Sequence, residues 1–307
     1  MEYIHGTNDF AIDGESAVTL GKFDGIHMGH KKLVSLVCEK AKMAGLKSCV
    51  FTFDTLPLSI CPQKYQHFIT TNNERRAYFE SLGVDVEVEY PFTDEFLHTD
   101  PDSFVKDVIV DKLHAKVVVV GTDFHFGKNR AGNAQYLLEA GKKYGFETVI
   151  VEKEKFQDRE ISSTYVREEL RLGHMETVNV LLGRPYSVSG VVCPGNQLGK
   201  KMNIPTMNLY PPVSKLLPPK GVYASVTRIG DKSYYGVTNI GVKPTVSEEN
   251  SISVETYLFD YDDTSYGCRI VVELSHFIRP EMKFDSMDAL SKQMESDADF
   301  ARSMFLV

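Results

Sequence analysis

The stretch Gly21-Lys22-Phe23-Asp24-Gly25-Ile26-His27-Met28-Gly29-His30 decides how this chain is read. It closes an apolar, β-branched run at 17–23 and leads into a helical pattern at 29–44. A strand that turns into a helix there sets free backbone N–H groups, and the positive end of the helix dipole, at the C-terminal edge of a sheet, where phosphates bind. His27 and His30 are three residues apart and share a face of the first helical turn, while Gly29 lets a ligand approach the backbone. Two imidazoles so placed offer hydrogen bonds to a phosphate chain as charge builds up on it. Alone, H-x-G-H is equally compatible with two surface histidines in an ordinary turn.

Working outward, short β-branched runs at 17–23, 48–53, 84–90, 116–121 and 147–151 alternate with helical patterns near 29–44, 72–82, 102–114 and 133–144. That alternation predicts β-α units and a doubly wound parallel sheet. Helical patterns at 164–172 and 176–182 follow, and Gly183-Arg184-Pro185 punctuates the chain, which sets the expected boundary between domains 1–183 and 184–307. Beyond it short strands are expected at 186–193, 221–228, 233–240, 253–260 and 269–277, with a hairpin turn at Gly230-Asp231, giving a small antiparallel barrel. From 286 to 304 a helical period returns, with Met287, Leu290, Met294 and Phe300 on one stripe and Ser286 as N-cap. The fold class is therefore α/β with a second, antiparallel β-barrel domain and a C-terminal helix.

The 307 residues are 42% hydrophobic and 25% charged, a globular composition long enough for two cores. Formal net charge is −8, and the acidic excess sits mainly in the first 183 residues, with 28 acidic against 21 basic. No basic block offers a nucleic-acid footprint, no apolar run is long enough to enter a membrane, and no feature specifies self-association. The opening Met1-Glu2-Tyr3-Ile4-His5-Gly6 lacks the basic-then-apolar order of a secretory leader, and five widely spaced cysteines suggest reduced thiols, so a cytoplasmic protein is expected.

A second element, Ile161-Ser162-Ser163-Thr164-Tyr165-Val166-Arg167, follows the fifth expected strand and opens a helix. Hydroxyls at a helix start are commonly caps, but Arg167 one turn later carries a guanidinium suited to phosphate. Gly121-Thr122-Asp123-Phe124-His125-Phe126-Gly127 lies after the fourth. Together these three elements resemble the nucleotidyltransferase superfamily and, within it, the bifunctional bacterial riboflavin kinase/FMN adenylyltransferases, or FAD synthetases. The resemblance implies a Rossmann-like nucleotidyltransferase domain in which the phosphate of FMN attacks the α-phosphorus of ATP, giving FAD and pyrophosphate. It implies that His27 and His30 steady the transition state, and that Gly21, Phe23, Asp24, Gly25, Gly29, Ser162, Ser163, Thr164 and Arg167 surround the ATP phosphates. Asp123, Phe124 and Phe126 would face the flavin. One departure is Phe53-Asp54-Thr55-Leu56-Pro57, which lacks a histidine common in the family near Pro57.

In the second half, Gly195-Asn196-Gln197-Leu198-Gly199-Lys200-Lys201 is a glycine-containing loop with two lysines, and not a P-loop. If Thr206 and Asn208 lie in an extended segment, their oxygens share a face and suit Mg²⁺ beside phosphates, with Met207 on the other face. Ile204-Pro205-Thr206-Met207-Asn208 resembles the P-T-A-N signature of riboflavin kinases, with Met207 for alanine and Asn203 where glycine is usual. Gly221-Val222-Tyr223-Ala224, Asn239-Ile240-Gly241-Val242-Lys243-Pro244-Thr245 and Ser253-Val254-Glu255-Thr256-Tyr257-Leu258-Phe259 continue the likeness. It implies phosphorylation of riboflavin by ATP, with Gly195, Gly199, Lys200 and Lys201 at the nucleotide, Thr206 and Asn208 at Mg²⁺, Arg279 at the flavin, and Glu255 taking the proton of the ribityl 5′-hydroxyl. A strand glutamate is otherwise most often a solvated one. Two alternatives stay open: a nucleotidyltransferase with another acceptor, and a flavin-binding regulatory paralogue with weakened activities.

Overall fold

The computed structural model describes residues 1–54, 67–194, 205–242, 252–261, 263 and 265–306. The chain divides into two compact units, Met1–Ser163 and Thr164–Val307. In the first, β1 (Glu2–His5), β2 (Ser16–Leu20), β3 (Lys47–Phe53), β4 (Val86–Tyr90), β5 (Ala115–Gly121) and β8 (Glu147–Val151) form a six-stranded sheet in the order β1-β4-β3-β2-β5-β8. Every pairing is parallel. Two short antiparallel ribbons, β6–β7 (His125–Phe126 with Gly132–Asn133) and β9–β10 (Lys155–Phe156 with Arg159–Glu160), flank it.

The five expected strands are present, and β1 is a sixth. Its four residues, Glu-Tyr-Ile-His, are too short and too polar to read as a strand, and it pairs only at the sheet edge with β4. The first expected strand ends at Leu20 rather than 23, because Phe23 takes the left-handed conformation, φ 47°, and turns the chain out of the sheet. The winding starts at β2, runs to β3 and β4 on one side, and resumes at β5 and β8 on the other. Ligands bind at the carboxyl ends of strands flanking such a reversal.

Helix α1 (Met28–Ala44) starts on His27 as N-cap and stops at Gly45 in the left-handed region, and α2 (Asn72–Ser81) starts with a Thr71/Glu74 capping box. The expected helix at 102–114 is instead a short turn, Pro101–Ser103, continuing as a π-helical segment, Phe104–Val110. Between β2 and the rest of the sheet the core is built from Val18, Leu20, Phe51, Val88 and Val118, all buried.

In the second unit, α6 (Ser163–Leu172, whose first residue closes the first unit) and α7 (Met175–Leu182) precede a six-stranded antiparallel sheet. Its order is β11-β16-β13-β14-β15-β12, from strands β11 (Tyr186–Val191), β12 (Thr206–Leu209), β13 (Gly221–Ile229), β14 (Lys232–Val242), β15 (Ile252–Leu258) and β16 (Arg269–Pro280). Among the described residues the edges meet at a bridge, Cys193 N–H donating to the Asn208 carbonyl at 2.9 Å, and the sheet curls as a half-barrel. Gly230-Asp231 is the two-residue turn between paired Ile229 and Lys232. Although the sequence changes periodicity at Gly183, α7 packs with the barrel: Asn179 donates to the Leu274 carbonyl at 3.0 Å and accepts the Tyr186 N–H at 2.7 Å.

The barrel interior carries a hydroxyl ladder, Ser225 to Thr238 to Thr256 at 2.8 Å each, so these buried polar atoms satisfy one another. The C-terminal helix, Met287–Phe305, has Ser286 as its N-cap as expected, and of the expected stripe Leu290 and Met294 are half-buried. Met287 and Phe300 are about half exposed, and the helix buries Asp297 and Ala301. Asp297 is drawn in by a bidentate pair with Arg279, and the small Ala301 lets the helix approach Ala224 closely.

Strand β4 buries two acids, Glu87 and Glu89, beside Arg75 of α2. Burial, only partly offset by Arg75 and reinforced by Glu89, pushes the Glu87 carboxyl up to about 7. A carboxyl whose pKa is higher folded than unfolded contributes stability fully below about 4.5, and that contribution is lost as pH rises through about 7. Glu87→Gln removes this loss. The stability of the variant relative to wild type is therefore expected to grow between those two values and to level off above them, as measured by urea midpoints across the range; a pH-independent difference would refute it.

Candidate functional sites

The first cavity, about 550 Å³, opens at the carboxyl ends of β2, β3, β5 and β8 and lies wholly within the first unit. His27 and His30 line it with their rings stacked at 3.7 Å and 18°. His27 is only 7% exposed, which sets aside the reading of two surface histidines. Its Nδ1 accepts the His30 backbone N–H at 3.4 Å, and the His30 ring meets Phe23 edge-on at 5.1 Å. Burial first, and His27 second, hold His30 well below the usual imidazole range, so at neutral pH it is uncharged. His30 Nδ1 is buried without a hydrogen-bond partner among the described residues.

The glycine-rich turn is more structural than its sequence suggests. Asp24 does not line the cavity: its Oδ1 accepts the backbone N–H groups of Ile69 at 2.9 Å and Thr70 at 3.3 Å. The Gly25 N–H donates to the Thr70 hydroxyl at 3.1 Å, and Gly25 needs its φ of 84° with Ile69 packed against it. These two residues, expected at the phosphates, hold the 69–70 turn instead. Phe23 lines the cavity but is fully buried against Phe79, so its contribution is shape. Gly21, Gly29, Ser162 and Ser163 also line the cavity, and the Ser163 hydroxyl donates to the Asp24 carbonyl at 2.8 Å. Thr164 is exposed and Arg167 half-buried, both on α6 and both in the second unit.

Asp123 stands at the opposite rim, paired with Lys153 at 3.1 Å, and Lys153 also holds Glu160 at 2.9 Å. Those bonds, the one to Glu160 foremost, raise the Lys153 ammonium above its usual range and keep it charged. Phe124 and Phe126 stack at 5.6 Å and 24°. They extend into an aromatic wall that the sequence reasoning did not assemble, with Phe104 5.3 Å from Phe126 and Phe53, Phe92 and Phe96 within 5.8 Å of one another. The signal available was Tyr90-Pro91-Phe92 at a strand end, with Phe96 one turn on.

A second cavity, about 290 Å³, lies in the second unit between β14, β15, the 279–284 segment and the C-terminal helix. Alternation along β15 puts Val254, Thr256 and Leu258 in the barrel and leaves Glu255 and Tyr257 on the face turned to this cavity. Glu255 pairs in register with Asn208 of β12 and Asn239 of β14, a row of three polar side chains across three strands, and accepts the Ser253 hydroxyl at 3.4 Å. Thr206 also lines the cavity, whereas Met207 is buried on the other face, as alternation requires. Arg279 is held by Asp297 at 2.6 Å and sits 5.9 Å from the Phe284 ring. Gly195, Gly199, Lys200, Lys201, Asn203, Lys243 and Pro57 lie outside the described residues.

Known proteins match both halves. Residues 9–165 fit the FAD synthetase family and residues 182–305 the riboflavin kinase family. A bifunctional riboflavin kinase/FMN adenylyltransferase from Listeria monocytogenes is 32% identical, covering 99% of this chain and 97% of its own. The Bacillus subtilis protein of that name is 34% identical over 99% and 98%. The chain belongs to the bifunctional riboflavin kinase/FMN adenylyltransferase family. A crystal structure of a macrolide-efflux protein from Streptococcus pneumoniae is also similar, with a TM-score of 0.85, 29% identity and 98% of each chain covered. No helix among the described residues of this family member is long and apolar enough to cross a membrane.

The two cavities fall one in each family-matched segment. The aromatic wall of the first depends on Gly132, where an added Cβ would sit 2.6 Å from the Phe126 ring. Gly132→Ala is therefore expected to cost about 1–3 kcal/mol through overpacking, read as a lower urea midpoint of the first unit. A change under about 0.5 kcal/mol would mean that Phe126 swings aside freely.

Proposed function

We propose that the first cavity performs adenylylation of FMN and the second phosphorylation of riboflavin, with the boundary between the activities near Gly183. The observation that carries this is the pairing of each family-matched segment with its own cavity, one holding stacked histidines at a helix start and the other a half-buried strand glutamate. Riboflavin, FMN and ATP are the substrates, FMN and FAD the products, and the compartment is the cytoplasm. An acidic net charge is no obstacle, because local cations and backbone N–H groups outweigh distant charges at contact range.

In the first reaction an FMN phosphate oxygen forms a bond to the α-phosphorus of ATP while the bond to the β-phosphate oxygen breaks, and pyrophosphate leaves. The nucleophile is already ionised at neutral pH, so the protein's task is placement and charge stabilisation. His27 and His30 serve the phosphates, with Ser162, Ser163, Thr164 and Arg167 holding the triphosphate and Asp123, Phe124 and Phe126 beside the flavin. Replacing both histidines with alanine is expected to abolish FAD formation while FMN still accumulates from riboflavin. Concurrent loss of FMN in the folded variant would contradict separate sites.

In the second reaction Glu255 takes the proton of the ribityl 5′-hydroxyl as its oxygen bonds to the γ-phosphorus, and ADP leaves. Thr206 and Asn208 offer a hydroxyl and an amide oxygen, hard donors of the type Mg²⁺ accepts alongside phosphates and water. Mg²⁺ would hold and neutralise the phosphates there; it is expected at both sites. Gly195, Gly199, Lys200 and Lys201 would contact the nucleotide, and Arg279, fixed by Asp297, the flavin. Incubation with riboflavin, ATP and Mg²⁺, with products separated by chromatography, tests the whole reading. Glu255→Gln keeps shape and removes basicity, so FMN formation is expected to fall by about 10²- to 10⁴-fold while supplied FMN is still converted to FAD. Riboflavin phosphorylation within a few-fold of wild type would remove Glu255 as the base.

A further inference from the structure

Helix α2 contributes no side chain to the lining of the first cavity, yet it buries two residues one turn apart, Arg75 and Phe79, against the turn that carries the histidines. The Arg75 guanidinium is 5% exposed and forks between two backbone carbonyls, with Nη1 donating to Lys22 at 3.3 Å and Nη2 to Phe53 at 2.8 Å. Lys22 and Phe53 both line the cavity. The fully buried Thr52 hydroxyl donates to the same Lys22 carbonyl at 3.3 Å. Two buried donors thus fix the peptide plane just before Phe23, a bulky residue in the left-handed region that needs such support. Phe79 packs edge-on against Phe23 at 5.7 Å, and Phe23 in turn against His30 at 5.1 Å. The charge of Arg75 is met by Glu87 at 3.8 Å and Glu89 at 3.6 Å, and Glu89 is itself bonded by Tyr3 and Asn72.

We infer that Arg75 is a positioning residue for the first reaction, fixing the Lys22 carbonyl and, through Phe23, the His30 ring. This rests on the proposed role of His30. A ring displaced by about 1 Å is enough to cost on the order of 10²-fold in rate. The competing explanation is that Arg75 only neutralises Glu87 and Glu89. The two differ for Arg75→Lys, which keeps the charge and loses the planar fork that spans both carbonyls.

The experiment measures both reactions of the full chain in wild type, Arg75→Lys, Thr52→Val and His30→Ala, with thermal midpoints and FMN binding stoichiometry. In Arg75→Lys the kcat of adenylylation is expected to fall roughly 10- to 100-fold, with KM for ATP and FMN, FMN stoichiometry and riboflavin phosphorylation each within about threefold of wild type. Thr52→Val is expected to lower the same kcat less, and the two substitutions to combine non-additively because they share one carbonyl. A wild-type adenylylation rate in Arg75→Lys, or a rise in KM with kcat unchanged, overturns the inference. If Arg75→Lys fails to fold, an unchanged kcat in Thr52→Val overturns it instead. An active His30→Ala would defeat the reading of the histidines; an inactive His30→Ala beside a normal Arg75→Lys would defeat only the positioning role.

Discussion

The first unit depends on a strained turn held in place by burial. Between β2 and α1 the chain passes through positive φ at Phe23, Gly25 and Ile26, at 47°, 84° and 40°. Only the glycine takes such angles freely, and each of the others costs about 1–3 kcal/mol, which the surroundings must offset. Phe23 and Ile26 are both fully buried. Asp24 supplies the rest: its carboxylate takes two N–H groups from residues 69 and 70, and its carbonyl takes the Ser163 hydroxyl. Hydrogen bonds to a charged group contribute about 1.5–3 kcal/mol each, enough to offset the strain. The product of this arrangement is a helix start whose first turn presents two stacked imidazoles to a cavity.

The same turn explains why part of the site was legible in the sequence and part was not. H-x-G-H after a strand, and S-S-T opening a later helix, are local patterns, and residues near in sequence stay near in the fold. The partners of Asp24 lie 45 and 46 residues away and are backbone groups, which leave no mark on the sequence. Arg75 is hidden for the same reason, since its acceptors are the carbonyls of Lys22 and Phe53. The aromatic wall draws on β3, the segment after β4 and the β6–β7 ribbon, so only the winding of the sheet brings it together. In the barrel, strand alternation was readable and gave the common face of Thr206 and Asn208. In the C-terminal helix the apolar stripe was readable but the burial of Asp297 was not, because its partner Arg279 comes from another element, the strand β16.

Glutamates in two strands, two of them buried and one half-buried, show how the same residue type meets different surroundings. Glu87 and Glu89 alternate along β4 onto one face, where Arg75, Tyr3 and Asn72 are among their neighbours. Glu255 lies in a strand of similar alternation, but its face is turned to a cavity, with Asn208 and Asn239 beside it on the neighbouring strands. At Glu87 burial outweighs the nearby Arg75 cation and pushes the carboxyl up to about 7, so this glutamate answers to the packing of the first unit.

That contrast extends to the two proposed reactions, whose nucleophiles set different demands. A phosphate monoester is ionised at neutral pH and needs no base, so an acceptor site for it does better without an unpaired carboxylate. Of the three carboxylates lining the first cavity, Asp123 is paired with Lys153 and Glu154 with Lys32, and the buried His30 imidazole is uncharged. A primary alcohol is a poor nucleophile at the same pH and gains from a nearby base. The second cavity offers Glu255 for that proposed role, and the Arg279 of its lining is bonded to Asp297.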